Sequence, residues 1–215
     1  MSCKEPASNS KLDGMLVVSP LILASSNEGK LLELRELLAP LGIGVETQGE
    51  HGVSSAEETG STFVENALLK ARHAARCTGL PAIADDSGIC VDALDGAPGI
   101  YSARFAGPGA SDQDNLKKLL VSLDNVDEPG RTARYECVIV FMRTASDPSP
   151  IIAQGTWEGI VLREPRGDYG FGYDPVFQVP DLVGSVAQQS PAAKNAVSHR
   201  AQAMRQLLSR LRDLG

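Results

Sequence analysis

The sequence predicts a mixed α/β fold, and three observations predict it: short apolar runs alternate with longer helical periodicities, an N-terminal helix signature precedes an amphipathic stretch, and two β-rich segments flank a turn late in the chain. Pro20 to Ala24 is a short apolar run that reads as the first strand. A polar turn follows, and from Lys30 to Leu41 the residues Leu31, Leu34, Leu37, Leu38 and Leu41 recur at helical spacing. Gly44 to Thr47 can return as a second strand, and His51 to Gly60, rich in Gly, Ser and Glu without periodicity, reads as loop. Thr62 and Glu65 form a capping box ahead of a helix running to about Thr78, with Phe63, Ala67, Leu68, Ala71 and Ala75 on one face. Gly79 and Pro81 end it.

Pro81 to Ala84 is too short for a helix and leads into DDSG, which reads as a strand delivering two aspartates to a turn. After a Gly/Pro-rich loop, Ser111 to Leu123 is a further helix. Ala133 to Met142 and Ile151 to Trp157 are β-rich and separated by the turn-forming TASDPSP, the pattern of an antiparallel hairpin. Ser198 to Leu214 closes the chain as a helix, with Ala201, Met204, Leu208 and Leu211 on its buried stripe.

A chain of 215 residues that is 42% hydrophobic can bury a real core, so one domain or two lobes around a cleft is expected. Residues 1–19 are expected to be an N-terminal extension, disordered and polar over Met1 to Gly14, with the compact domain over 20–215. The apolar stretch Met15 to Ala24 is interrupted by Pro20 and falls far short of the roughly 20 residues that a membrane span needs. Acidic residues outnumber basic ones, 27 against 20, so the chain lacks the broad positive field that sequence-independent nucleic-acid binding requires. A small phosphorylated ligand stays open, because a few cations in one cleft can bind it. Cys3, Cys77, Cys90 and Cys137 show no zinc-type spacing and read as isolated reduced thiols of a cytoplasmic protein.

Five constellations could carry chemistry. Ser25, Ser26, Asn27, Glu28, Gly29 and Lys30 lie between the first strand and first helix, where free amides and the helix dipole favour an anion. This is no Walker A loop, since the early glycine is missing and Leu31 stands where a hydroxyl should hold the metal. Glu57 and Glu58 in a loop, with Asp85 and Asp86 at a strand end, are a carboxylate set of the kind Mg²⁺ takes, one or two acids completed by water and phosphate. Asn66 and Lys70, four residues apart on one helix face, are a donor pair open to either solvent or cleft. Gly170 to Pro175 sets Phe171 between glycines and places Asp174 after Tyr173, a base-stacking element or a turn whose aromatics plug the core. Lys194 to Arg200 leads into the last helix, with Ser198 as N-cap; His199 and Arg200 oppose the dipole there, a cost that suggests function.

Taken in order, SxNEGK, AEETGxTFxENAxxKA, LPAIADDSG, GAPGIYSAR, GFGYDPVF and KxAxSHR resemble the inosine triphosphate pyrophosphatase family, in its bacterial dITP/XTP branch, from about Leu21 to the C-terminus. The resemblance implies an elongated, two-lobed α/β fold with a mixed twisted sheet and a cleft, a homodimer and Mg²⁺ dependence. It assigns Ser25 to Lys30 to the triphosphate, Glu57 and Asp86 to the metal, and Asp86 also to proton acceptance; because a carboxylate on Mg²⁺ is a weaker base, Asp85 stands in reserve for that proton. Ser87, Phe171, Gly172, Tyr173, Asp174, Lys194, His199 and Arg200 fall to the nucleotide, the last two near the base. Gln188 and Ala193 stand where the family often has acids. The implied reaction is cleavage of ITP, dITP or XTP to the monophosphate and pyrophosphate. A general triphosphatase releasing phosphate and a non-catalytic nucleotide sensor are the alternatives.

Overall fold

The computed structural model describes residues 20–25, 27–39, 44–180 and 182–212. The expected extension over 1–19, Ser26, and the helix ends at Leu41 and Leu214 lie outside the described residues. No helix among the described residues is long and apolar enough to cross a membrane.

Six strands form one sheet in the order β2-β1-β3-β4-β5-β6. They are β1 (Leu21–Leu23), β2 (Val45–Thr47), β3 (Ala82–Val91), β4 (Thr132–Met142), β5 (Ile151–Val161) and β6 (Phe177–Gln178). β1 pairs in parallel with both β2 and β3, and the remaining pairs are antiparallel. The expected hairpin is therefore present, with Phe141 opposite Ile151, and β5 runs on past Trp157 to Val161. Helix α1 (Glu28–Leu38) follows β1, and α2 (Phe63–Thr78) precedes β3. The crossovers from β1 to β2 and from β2 past β1 to β3 run in opposite directions along the sheet, and a constant right hand puts their helices on opposite faces. Leu34 and Leu38 of α1 accordingly pack with Leu21, Leu23, Ile83 and Ile139, while Ala67, Ala71 and Ala74 of α2 pack with Ile22, Ala84 and Val140.

Helix α2 is capped by Thr62, whose side chain accepts the Glu65 amide. The return half of the expected capping box is shifted: the Glu65 carboxylate takes the Ser61 amide and the Thr62 hydroxyl. Helix α3 (Asp112–Ser122) begins with a complete box between Ser111 and Asp114. Near the C-terminus the chain forms two helices where one was expected. Short α4 (Pro191–Val197) is capped by Ser190 and started by Pro191, and α5 (His199–Arg212) follows after Ser198, whose hydroxyl accepts the Ala201 amide.

DDSG is not a turn. Asp85 to Gly88 lie inside β3, which pairs with β4 over ten registered residues from Ala82 to Val91. Local turn propensity yields here to ladder pairing and to burial of the flanking Ile83 and Ile89. β1 ends opposite Ile83, so from Asp85 onward β3 has no strand neighbour on that side among the described residues, apart from an isolated bridge between Cys90 and Pro98. A third core, with Ile89, Val91, Tyr135, Trp157, Tyr173, Phe177 and Leu119, is built around the far ends of β3 to β5. The sheet thus carries two packed regions with a cleft between them, beside the free edge of β3. That edge adjoins the carboxyl end of β1, where strand order reverses, the place where open α/β sheets bind ligands.

Two glycines permit the close approaches that shape this edge. A Cβ on Gly88 would run into the Gly99 carbonyl and the Ser102 hydroxyl, so the 3-10 helix Gly99–Arg104 can lie directly on β3. A Cβ on Gly155 would run into the His199 carbonyl and the Ala203 amide, so α5 is seated on β5 with His199 and Arg200 at the cleft.

Candidate active site

The cleft has a cavity volume of about 110 Å³ and is lined by residues from both packed regions, among them Asn27, Lys30, Glu58, Asp86, Ser87 and Arg104. Asn27 caps α1, its side chain accepting the Lys30 amide at 3.0 Å while its own amide donates to Ser25 Oγ at 3.2 Å. The first amides of a helix have no intrahelical acceptor, so the start of α1 presents N–H groups beside the cleft. Glu28 is exposed, and Gly29 is packed under Phe171.

Successive residues of a strand face opposite ways, and Asp85 and Asp86 do so here. Asp85 is fully buried on the α1 and α5 side, 3.1 Å from Lys30 Nζ and 3.4 Å from the Arg200 guanidinium. Burial alone would push its carboxyl up, but Lys30 and Arg200 outweigh that and hold it well below the usual range. Asp85 does not line the cleft, so its reserve role as proton acceptor has no geometry behind it.

Asp86 faces α2. Lys70 Nζ donates to its Oδ1 at 2.8 Å, and the Asn66 amide lies 3.3 Å from its Oδ2, so the donor pair faces neither solvent nor the open cleft but backs Asp86 from behind the cleft wall. Burial raises the Asp86 pKa, Glu58 adds to that, and Lys70 and Lys30 only partly oppose it. Lys70 also donates to Glu58 at 3.0 Å, and Arg104 donates to the other Glu58 oxygen at 2.9 Å. Two carboxylates therefore converge on one cation at the cleft wall. Glu57, which the resemblance assigns to the metal, is exposed and lies outside the lining, while its neighbour Glu58 stands opposite Asp86.

Across the cleft, Lys194 lies 2.7 Å from both Glu33 and Asp174, and Arg200 pairs with Glu33 and donates to Ser87 Oγ at 3.0 Å. Burial raises the Asp174 carboxyl against the pull of Lys194, and its oxygens also accept the Phe171 amide and the Tyr135 hydroxyl. Tyr173 is buried, its hydroxyl on the Ser102 carbonyl at 2.8 Å, so it anchors the Gly170–Pro175 turn while Phe171 faces the cleft. Gly172, at φ 61°, completes that turn. His199 stacks on Tyr135 with ring centroids 4.7 Å apart. Its burial, reinforced by Arg200 and Lys194, drives its pKa well below the ordinary value, so the imidazole is neutral. The expected conflict of His199 and Arg200 with the α5 dipole is thus relieved, one group carrying no charge and the other facing Glu33 and Asp85.

The structure brings together Asn27, Lys30, Asp86, Ser87, Phe171, Gly172, Tyr173, Asp174, Lys194, His199 and Arg200 around one cleft. Sequence reasoning missed Glu33, Arg104 and Tyr135. Glu33 carried a signal, since it falls beside Leu34 and Leu37 on the stripe of α1 that packs inward, where an unpaired acid would be costly.

Three residues hold buried polar atoms with no partner among the described residues: Asp85 Oδ1, His199 Nδ1 and Arg200 Nε. All belong to the cleft wall or its backing. The oxygen pair of Glu58 and Asp86 suits a hard cation such as Mg²⁺, which takes few protein carboxylates. No group of three His, Cys, Asp or Glu that could hold a metal occurs among the described residues.

The sequence profile of the Ham1 family matches residues 21–210. The chain is 58% identical over 193 residues to a dITP/XTP pyrophosphatase of Yersinia pestis, covering 90% of this chain and 98% of that one. It is 54% identical over 193 residues to a dITP/XTP pyrophosphatase of Escherichia coli O157:H7, with the same coverage of 90% and 98%. Among solved structures, a HAM1 protein from Coxiella burnetii superposes with a TM-score of 0.83 at 50% identity, over 90% of this chain and 98% of that one. The Staphylococcus aureus Ham1 protein superposes with a TM-score of 0.81 at 39% identity, over 92% and 100%.

Proposed function

This chain belongs to the Ham1 family, and on that premise we propose that it hydrolyses non-standard purine nucleoside triphosphates (ITP, dITP and XTP) to the monophosphate and pyrophosphate, with Mg²⁺. One observation carries the reading: the open start of α1 with Lys30, and the Glu58–Asp86 pair on Lys70, face a single cleft. The triphosphate lies along Ser25 to Lys30, where the first-turn amides and Lys30 receive its oxygens. Ser26 joins that loop by resemblance.

Glu58 and Asp86 would hold Mg²⁺, which supplies positive charge against the triphosphate when bound. Asp86 accepts the proton of a water attacking the α-phosphorus, and pyrophosphate leaves. Its raised pKa makes it a better base than an ordinary exposed aspartate. Lys70 and Asn66 keep the Asp86 carboxylate oriented, and Lys30 stabilises the charge that builds on the phosphate oxygens.

The base stacks at the Phe171 and His199 end of the cleft. Side chains there are rich in donors: Arg200 Nε is unpaired, and Lys194 carries a third ammonium proton, while the Asp174 oxygens are already engaged. Such a site meets a 6-oxo acceptor and leaves donors unmatched against the 6-amino group of adenine. The same reading includes a homodimer and a role in the cytoplasmic nucleotide pool.

The test is to incubate purified protein with ITP, XTP, GTP and ATP, with and without Mg²⁺, and identify the products by phosphorus NMR. Pyrophosphate with IMP or XMP, dependent on Mg²⁺ and far slower from ATP, is expected. Inorganic phosphate with a nucleoside diphosphate would replace the reading by a general triphosphatase, and binding without turnover would leave a sensor.

A further inference from the structure

Asp112 takes no part in the chemistry above, yet it stands on the rim of the same cleft. It is exposed, at the first position of α3, and its Oδ2 accepts the backbone N–H of Gly172 at 2.7 Å across 60 residues of sequence. Helix capping does not account for it, because Ser111 and Asp114 already close the start of α3 with a reciprocal box. Attraction of substrate does not account for it either, since a carboxylate at the mouth repels a polyanion.

What the contact controls is the turn that carries Phe171. Gly172 sits at φ 61°, with its amide turned outward toward α3. The Phe171 ring reaches from this turn to the head of α1. It lies so near Gly29 that a Cβ there would stand 2.7 Å from the ring, and Lys194 Nζ and Arg200 Cζ lie 4.6 and 5.9 Å from its centroid. Asp174 and Tyr173 fix the turn from within, through the Phe171 amide and the Ser102 carbonyl. Asp112 fixes it from a separate element.

We propose that Asp112 is a positioning residue for nucleotide binding: by accepting the Gly172 amide it holds the turn so that the Phe171 ring stays across the head of α1 and over the two cations. The proposal rests on the reading of the cleft as a nucleoside triphosphate site. It is tested with Asp112→Ala and Asp112→Asn in the full chain. Both variants remove the charge, and with it the same dipole contribution at α3, but the asparagine keeps an acceptor oxygen in place.

With ITP and Mg²⁺, Asp112→Ala is expected to raise KM about tenfold, the scale of one hydrogen bond, with kcat within about twofold; Asp112→Asn is expected to return KM close to that of the unaltered protein. Amide exchange at Gly172, followed by NMR without substrate, should be fast in the alanine variant and slow in the other two. Equal KM values in both variants, a loss confined to kcat, or equal exchange in all three proteins would overturn the role of Asp112. An unaltered protein inert toward ITP would sink the functional reading by itself, and the exchange measurement would still decide the tether.

Discussion

Asp85 and Asp86 are chain neighbours with opposite surroundings. On the Asp85 side, Lys30, Arg200, Lys194, Glu33 and Asp174 form a closed set of buried charges in which each acid meets at least one cation. On the Asp86 side, Glu58, Lys70 and Arg104 form a set that opens on the cleft, and there burial raises the aspartate instead of being outweighed. The two sides differ in what their charges are free to do. Asp85, held down by Lys30 and Arg200, cannot accept a proton near neutral pH, whereas Asp86, raised by burial on the cleft wall, can take a proton or share a cation.

The sharpest way to break this contrast is Asp86→Asn, which is expected to lower kcat about 10³-fold with the fold intact, in the range of lost general-base and charge stabilisation. Circular dichroism and steady-state kinetics on ITP check it together. Turnover within about tenfold of the unaltered protein would remove Asp86 from the chemistry.

Next in size is a change on the closed side. Glu33→Gln leaves Lys194 and Arg200 short of a countercharge and is expected to cost about 3 kcal/mol of stability, the scale of breaking a buried pair. Urea unfolding measures it, and a loss under about 1 kcal/mol would show these charges to be better hydrated than their burial suggests.

His199 sharpens the contrast through pH. Its folded pKa lies well below the ordinary 6.5, so the unfolded chain takes up a proton first as pH falls. The stability due to its neutral burial is complete above about 6.5 and declines below, by at most about 1.4 kcal/mol per pH unit. Unfolding midpoints at pH 7 and about 5.5 should therefore differ more for the unaltered protein than for His199→Asn; equal differences would mean that the imidazole is charged in the fold.

The smallest effect separates two adjacent acids. Glu58→Gln is expected to raise the Mg²⁺ concentration for half-maximal activity about tenfold, and Glu57→Gln to leave it unchanged. The reverse pattern would return the metal role to Glu57.

Much of the fold was legible because its signals are local. Thr62 and Ser198 accept the amides expected of N-caps, the leucines of α1 and alanines of α2 fall on the predicted faces, and TASDPSP joins the hairpin. DDSG misled for a physical reason: Asp, Ser and Gly favour turns locally, while their extended state depends on β4, some fifty residues away, about which a local pattern is silent. Helix α4 was hidden although Ser190 and Pro191 are a sound start signal, because its seven residues offer too few turns for periodicity to register. In the site, residues within quoted motifs could be named, but the choice between Glu57 and Glu58, or Asp85 and Asp86, depends on which way a side chain faces. Only the placement of β3 against α2 and α5 decides that.

Hydrolysis of ITP in water enriched with oxygen-18 tests the central claim most directly, since the label records which phosphorus the water attacks. With Asp86 at the α-phosphate, the label is expected in IMP and absent from pyrophosphate. Label in pyrophosphate, or in inorganic phosphate with IDP as co-product, would contradict the arrangement of Lys30, Glu58 and Asp86 around the substrate.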